Sequence, residues 1–231
     1  MPRRTSRTFK SVVLLSGGLD SAVNLALAGR YRAPVLALTF DYGQRAARAE
    51  VRAARKLCSF YGIEHRVVPL PWFRELLPRR LAETGVPLPS RPGDANAVWV
   101  PNRNGVFVAV AAAFAEALGA PVVVAGFNAE EAAQFPDNSP PFVAACNRTL
   151  RYSTARRVKV ISYTISADKT AVVKKGLRLG VPLEYVYPCY GEGPRPCGRC
   201  ASCRRTAAAL TNAGHPGLRV KIFGGRQRQN G

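Results

Sequence analysis

Two short stretches of the chain bring together residue types that can do chemistry. The first is Ser16-Gly17-Gly18-Leu19-Asp20-Ser21. Gly17 and Gly18 allow positive φ and close backbone approach, so successive N–H groups can turn toward one anion. Ser16 and Ser21 add hydroxyl donors at the rim, and Asp20 can hold a magnesium ion through water or cap a following helix. The second stretch carries thiols at Cys189, Cys197, Cys200 and Cys203. Two interlocked C-x-x-C steps and a fourth thiol one loop away can surround one tetrahedral ion. One structural zinc per chain is the expected occupant; a disulfide pair, an iron–sulfur cluster and redox catalysis are the alternatives, and spacing alone does not exclude iron–sulfur. With four thiolates such an ion has no open position for chemistry, so its expected work is to fold the C-terminal segment over a site mouth. Cys58 and Cys146 read as packing residues.

The hexapeptide needs a strand before it and a helix after it. Val12 to Leu15 is an apolar run that suits a strand buried on both faces, and Ala22 to Ala28 suits a helix. The glycine turn then lies at the positive end of a helix dipole, which makes it a phosphate cradle. The same alternation continues along the chain. Pro34–Phe40 predicts a strand, and Ala47, Val51, Ala54, Cys58 and Tyr61 mark one face of a helix stopped by Gly62. Residues 63–70 predict a third strand, and 81–97, rich in Pro, Gly and small residues, a lid or substrate loop. Val100-Pro101-Asn102-Arg103-Asn104-Gly105 opens an alanine-rich helix to about Leu118, which Asn104 could cap. Strands at 121–127 and 158–165 and helices ending at Leu150 and Leu179 complete the pattern. Lys169 falls in the first turn of the last helix, where a cation opposes the dipole and is either solvated or facing an anion. Alternating strands and helices predict an α/β fold with a doubly wound parallel sheet, its ligand site at the C-terminal strand ends, and a small C-terminal zinc-binding segment. The expected division is a basic tail over 1–10, a phosphate-binding α/β domain over 11–185, the zinc-binding segment over 186–223 and a flexible tail over 224–231.

The 231 residues are 47% hydrophobic, enough for a sizeable core, and no apolar stretch approaches bilayer length. The N-terminal basic run has no apolar signal core behind it, so a cytoplasmic protein without a membrane partner is expected. Thirty-four Lys and Arg against 14 Asp and Glu give a net charge of +20. That charge permits a polyanionic partner but is spread over expected tails and polar helix faces, so no stable nucleic-acid complex is expected.

The hexapeptide resembles the PP-loop of ATP pyrophosphatases, enzymes that adenylate an oxygen and release pyrophosphate. Together with Phe40-Asp41-Tyr42-Gly43-Gln44-Arg45, Val100 to Asn104, Phe135-Pro136-Asp137, Lys169 and the four cysteines, it makes the chain resemble the 7-cyano-7-deazaguanine synthases over nearly its whole length. The resemblance implies ATP, Mg2+, 7-carboxy-7-deazaguanine and ammonia as reactants, and a homodimer. It implies catalytic roles for Asp20, Ser21 and Lys169, and ATP binding by Ser16, Gly17, Gly18, Leu19, Asp20, Ser21, Phe40, Tyr42 and Gln44. Asn102, Arg103 and Asp137 stand where the substrate pocket is expected. The chain departs from the family pattern at Asn138-Ser139, where Cys-Arg is common, at Tyr187-Pro188, where Trp-Ser is common, and after Cys203. The first departure bears on the product: a relative could stop at the amide or join the deazaguanine to another amine. A PP-loop enzyme acting on tRNA and a non-catalytic zinc module are the remaining alternatives.

Overall fold

The computed structural model describes residues 9–91 and 95–224. Five parallel strands, β1 (Lys10–Leu14), β2 (Ala33–Asp41), β3 (His65–Pro69), β4 (Val122–Val124) and β5 (Lys159–Ile161), form one sheet in the order β3-β2-β1-β4-β5. The helices among the described residues are α1 (Leu19–Tyr31), α2 (Ala47–Tyr61), α3 (Arg79–Ala82), α4 (Arg103–Ala117), α5 (Ala129–Ala132), α6 (Pro140–Ser153), α7 (Lys169–Arg178), α8 (Ala201–Asn212) and α9 (Pro216–Phe223).

Strand side chains alternate between the two sheet faces, and both faces are covered. Val13, Ala37, Val122 and Val124 enter one core with Leu25 of α1, Leu57 of α2, Val172 of α7 and Leu210 of α8. Val12, Leu36, Leu38, Val123 and Val160 enter the other with Val108 and Ala112 of α4 and Leu150 of α6. Helices on both sides of a parallel sheet make the fold doubly wound, as the strand–helix alternation predicts. Leu25 is fully buried, so its truncation to alanine would cost about 2–5 kcal/mol.

The strand order reverses between β1 and β4, and there the loops leaving the two strands diverge and open a crevice. Close packing holds its walls together. Gly17 has φ +77°, and a Cβ on it would lie 2.6 Å from the carbonyl oxygen of Glu50 in α2. A Cβ on Gly126, just past β4, would lie 2.7 Å from the backbone nitrogen of Ser21. Glycine at both positions lets α2, the hexapeptide and the loop after β4 meet backbone to backbone.

Several elements differ from the sequence reading. β5 stops at Ile161, well short of Ile165, because Asn24 draws the chain onto α1: its Oδ1 accepts from the Tyr163 N–H at 2.9 Å, and its Nδ2 donates to Thr164 Oγ1 at 2.7 Å. The described part of the expected loop over 81–97 is tied down, with Arg45 Nη1 donating to the carbonyls of Val86 and Arg80 and Ala201 N–H to that of Pro89. Residues 1–8 and 225–231 of the expected tails lie outside the described residues, whereas Lys10 opens β1 and Lys221 belongs to α9. Among the described residues no helix is long and apolar enough to cross a membrane.

Candidate active site

The hexapeptide forms the floor of the crevice. Helix α1 begins after Gly18 without any side-chain cap, so its first N–H groups point outward unclaimed by the chain's own side chains. A helix of 13 residues with an open N-terminus attracts an anion through its dipole and its free donors. Ser21 Oγ donates to the Gly18 carbonyl at 3.0 Å and lies 3.2 Å from Ser16 Oγ, which fixes both hydroxyls at the rim. Tyr187, arriving from the C-terminal segment, donates its N–H to the Gly17 carbonyl at 2.8 Å and pins the loop from above.

In the first turn of α1, Asp20 meets the residue that opens α7. Lys169 Nζ donates to Asp20 Oδ2 at 2.6 Å and to Glu131 Oε1 at 3.1 Å, while Asn128 Nδ2 donates to Asp20 Oδ1 at 2.9 Å. Asn128 also caps α5 by accepting from the Glu131 N–H, so one side chain sets both carboxylates. The Lys169 side chain is 6% exposed. Burial works against its charge, yet the Asp20 and Glu131 carboxylates hold the ammonium above the ordinary lysine range. Burial likewise works against the Glu131 charge, and Lys169 and Arg205 hold its carboxyl below the usual range. The buried lysine therefore faces two partly exposed carboxylates at the edge of the phosphate cradle.

The second wall is aromatic and polar. Phe40 stacks on Phe107 of α4 with ring centroids 4.2 Å apart, and Tyr42 lies against the same ring at 5.5 Å. Gln44 fixes the turn after β2: it accepts from the Tyr42 N–H at 2.9 Å, donates to the Phe40 carbonyl at 3.1 Å and donates to Glu50 Oε2 at 2.7 Å. Arg103 Nη1 reaches Tyr42 Oη at 3.4 Å. Burial raises the Tyr42 phenol above its usual range, although Arg103 pulls the other way. Burial also pushes the Glu50 carboxyl up to about 7, with the Gln44 hydrogen bond and Arg103 opposing it.

Ser16, Gly18, Leu19, Asp20, Ser21, Phe40, Tyr42, Gln44, Arg103 and Lys169 line this one cavity. Gly17 shapes the loop from behind, and Asn102 stands apart. It is exposed at the start of α4 with φ +51°, its amide lying over Gly105, so it shapes the helix entry and does not face the cavity. The cavity is lined instead by Asn104, whose Nδ2 donates to the Asp137 carbonyl at 3.2 Å, which also removes it from the capping role. Asp137 is one residue removed from the lining, where Asn138 stands, and holds the Asn138 amide through Oδ1 at 3.1 Å. Ser139 caps α6 by accepting from the Phe142 N–H.

The four cysteines converge. Their sulfur atoms all lie within 4.8 Å of one another, with Cys197 and Cys203 at 3.9 Å and Cys189 and Cys200 at 4.0 Å. A tetrahedral thiolate shell with bonds of about 2.3 Å has edges of about 3.8 Å, so the cluster can hold a metal ion. N–H groups of Gly191 and Cys197 point at Cys189 Sγ, and that of Cys200 at Cys197 Sγ, which favours thiolates. The cluster packs on Ala49 and Ala53 of α2 and on Ala46 just before it. Two residues past Cys203, Arg205 reaches Glu131 Oε1 at 3.1 Å, Gln134 Oε1 at 3.1 Å and Tyr190 Oη at 3.2 Å. The thiol cluster and the buried lysine are thus joined through one arginine.

Glu50, Asn128, Glu131, Tyr187 and Arg205 escape the sequence reading. An Asn-x-x-Glu pair just past a strand is a visible helix-start signal at Asn128; Tyr187 and Arg205 carry none because they meet Gly17 and Glu131 far away in the chain, and Glu50, six residues from Gln44, has nothing local that sets it apart from an ordinary helix acid.

The family model described as "Queuosine biosynthesis protein QueC" matches residues 10–214. A protein of Desulforudis audaxviator named 7-cyano-7-deazaguanine synthase is 51% identical over 221 residues, covering 91% of this chain and 100% of its own length. A protein of the same name from Pelotomaculum thermopropionicum is 48% identical over 216 residues, covering 89% and 98%, and one from Methanosarcina barkeri 43% over 219, covering 89% and 95%. With the phosphate cradle, the lysine–carboxylate cluster and the four thiols all inside the matched span, this chain belongs to the QueC family.

Proposed function

We propose that the protein converts 7-carboxy-7-deazaguanine and ammonia into 7-cyano-7-deazaguanine, as an ATP-dependent carbon–nitrogen ligase working through two adenylations. The observation that carries this reading is one cavity holding an uncapped helix N-terminus, a buried lysine and an aromatic wall with an arginine. A carboxylate is a poor electrophile because its leaving group would be oxide. Transfer of AMP to it creates a mixed anhydride that ammonia can attack to give the amide. A second adenylation, on the amide oxygen, lets that oxygen depart with AMP and leaves the nitrile.

The residues divide the work. The loop from Ser16 to Ser21 receives the phosphates through its N–H groups and hydroxyls. Lys169 swings its charge from the carboxylates toward the α-phosphate, where negative charge grows as pyrophosphate leaves. Asp20, whose two oxygens are now held by Lys169 and Asn128, would hold a magnesium ion, and that ion would supply neutralising charge for the phosphates. Phe40, Tyr42 and Gln44 suit the adenosine, while Arg103, Asn104 and the turn at Asp137 suit the deazaguanine and its carboxylate. The four-thiolate set fits one structural zinc, which would fasten Tyr187 and Arg205 over the cavity. The family's homodimer and cytoplasmic setting belong to the same reading.

The test is mass spectrometry of the products formed from 7-carboxy-7-deazaguanine, ATP, magnesium and an ammonium salt. Nitrile with AMP supports the reading. Amide alone, or no turnover, refutes it and points to the amide-forming or tRNA-acting alternatives.

A further inference from the structure

Acids in this cavity are not alike. Asp20 and Glu131 are each ion-paired with Lys169, and Glu131 with Arg205 as well. Glu50 also lines the cavity, but among the described residues it takes part in no ion pair. Oxygen Oε2 is held by Gln44 Nε2 at 2.7 Å, and Gln44 is itself fixed by two backbone contacts, so the carboxylate is oriented from one side only. Among the described residues Oε1 makes no hydrogen bond, and it is not fully enclosed, on a residue that lines the cavity. The backbone of the same residue is pressed against Gly17, so Glu50 stands beside the phosphate loop on a packed helix. An oriented carboxylate outside every ion pair among the described residues, with one oxygen unbonded, stands next to the phosphate site and is built to receive a proton.

We infer that Glu50 is the base of the amide-forming step, taking through Oε1 the proton that ammonium must lose before its nitrogen can attack. The inference rests on the function proposed above. Ammonium, the form that prevails at neutral pH, has no lone pair. Its N–H bond breaks, the proton passes to Glu50, and the freed pair forms the C–N bond to the adenylated carbonyl carbon. The C–O bond to the phosphate breaks, and its pair leaves on AMP, whose phosphate takes the second proton shed as the amide nitrogen forms. Glu50 then returns its proton to solvent.

The surroundings suit a base working near neutrality. Burial disfavours the Glu50 anion and brings its carboxyl to about 7; the Gln44 amide and the Arg103 guanidinium of α4 support the charge, and Asp41 at the end of β2 opposes it. Asp20, Lys169 and Glu131 of α1, α7 and α5 and Tyr190 of the C-terminal segment share the cavity, and the two carboxylates are balanced by Lys169 together with Arg205 of α8.

Glu50→Gln keeps the shape and the Gln44 contact but removes the base. With wild-type protein making nitrile and AMP, the variant's turnover on ammonium at neutral pH should fall about 100-fold. Its KM for the carboxydeazaguanine should stay within about threefold. The deficit should shrink about tenfold when hydroxylamine, already uncharged at neutral pH, replaces ammonium, with hydroxamate and AMP as products. Glu50→Asp, which keeps a carboxylate one methylene shorter, should give an intermediate rate and replaces the glutamine variant if that one melts early or loses metal. A raised KM with turnover intact would overturn the inference and make Glu50 a reader of the deazaguanine edge. An equal deficit with both nucleophiles would overturn it in favour of a packing role. If the wild-type protein itself forms neither amide nor nitrile, the proposed function fails first and the inference with it.

Discussion

Arg205→Ala tests whether the thiol segment holds the catalytic cluster in place. The Arg205 side chain is 8% exposed, and its guanidinium contacts Glu131, Gln134 and Tyr190, none of them on its own helix. Truncation removes a hydrogen-bonded contact to a charged group, about 1.5–3 kcal/mol. Breaking a buried pair outright costs about 3–5 kcal/mol, but Glu131 keeps Lys169 at 3.1 Å and so is not left alone. A loss of about 3 kcal/mol follows. In a chain of this size each kcal/mol moves the melting temperature by about 2–4 °C, so calorimetry at neutral pH should show a fall of about 6–12 °C. Bound metal should stay at the wild-type level, since no thiol is touched. Because the lost interaction runs through Glu131, combining Arg205→Ala with Glu131→Gln should give less than the sum of the two, with a coupling of about 1–3 kcal/mol. A melting temperature within about 2 °C of wild type, or strict additivity with Glu131→Gln, would refute the arginine as the link between the two sites.

Replacing Gly17 by alanine forces a side chain into positive φ and 2.6 Å from a carbonyl oxygen, so the protein should lose several kcal/mol, on the order of 2–4, and its nucleotide binding with it, as read by urea unfolding and ATP titration. Lys169→Ala should abolish AMP release while leaving metal content unchanged; retained AMP release would remove the lysine from the chemistry. Cys200→Ser should lower both metal content and thermal stability, and an unchanged melting curve would show that the cluster holds no structural ion. For Glu50 the sign follows from its raised pKa. The folded state binds that proton more tightly than the unfolded chain does, so its favourable contribution is complete below about 4.5 and is lost as pH rises through about 7. Above that pH, Glu50→Gln should therefore raise stability by about 1–3 kcal/mol, and a destabilised variant there would show that the charged form is well solvated.

How far the chain can be read in advance depends on where each residue's partners lie. Strand–helix alternation and the Ser16–Ser21 turn are local patterns, so the doubly wound sheet and the open N-terminus of α1 are legible from neighbouring residues alone. The four thiols announce themselves by spacing. What local reading does not supply is the pairing of groups 38 and 149 residues apart. Lys169 reads as free or phosphate-facing because nothing near it in the chain is acidic except its cap, Asp168, yet Asp20 and Glu131 reach it from α1 and α5. Asn102 misleads for the opposite reason: its neighbours Arg103 and Asn104 face the cavity, but the helix starts at Arg103, and one residue of offset at a helix entry turns a side chain away from the site. Glu50 sits on the face of α2 that the apolar pattern assigns to neither core nor solvent, and only the glycine at position 17, by letting two backbones meet, brings that face to the phosphate loop. The glycine that helps to form the phosphate cradle therefore also sets the distance between the cradle and the carboxylate beside it.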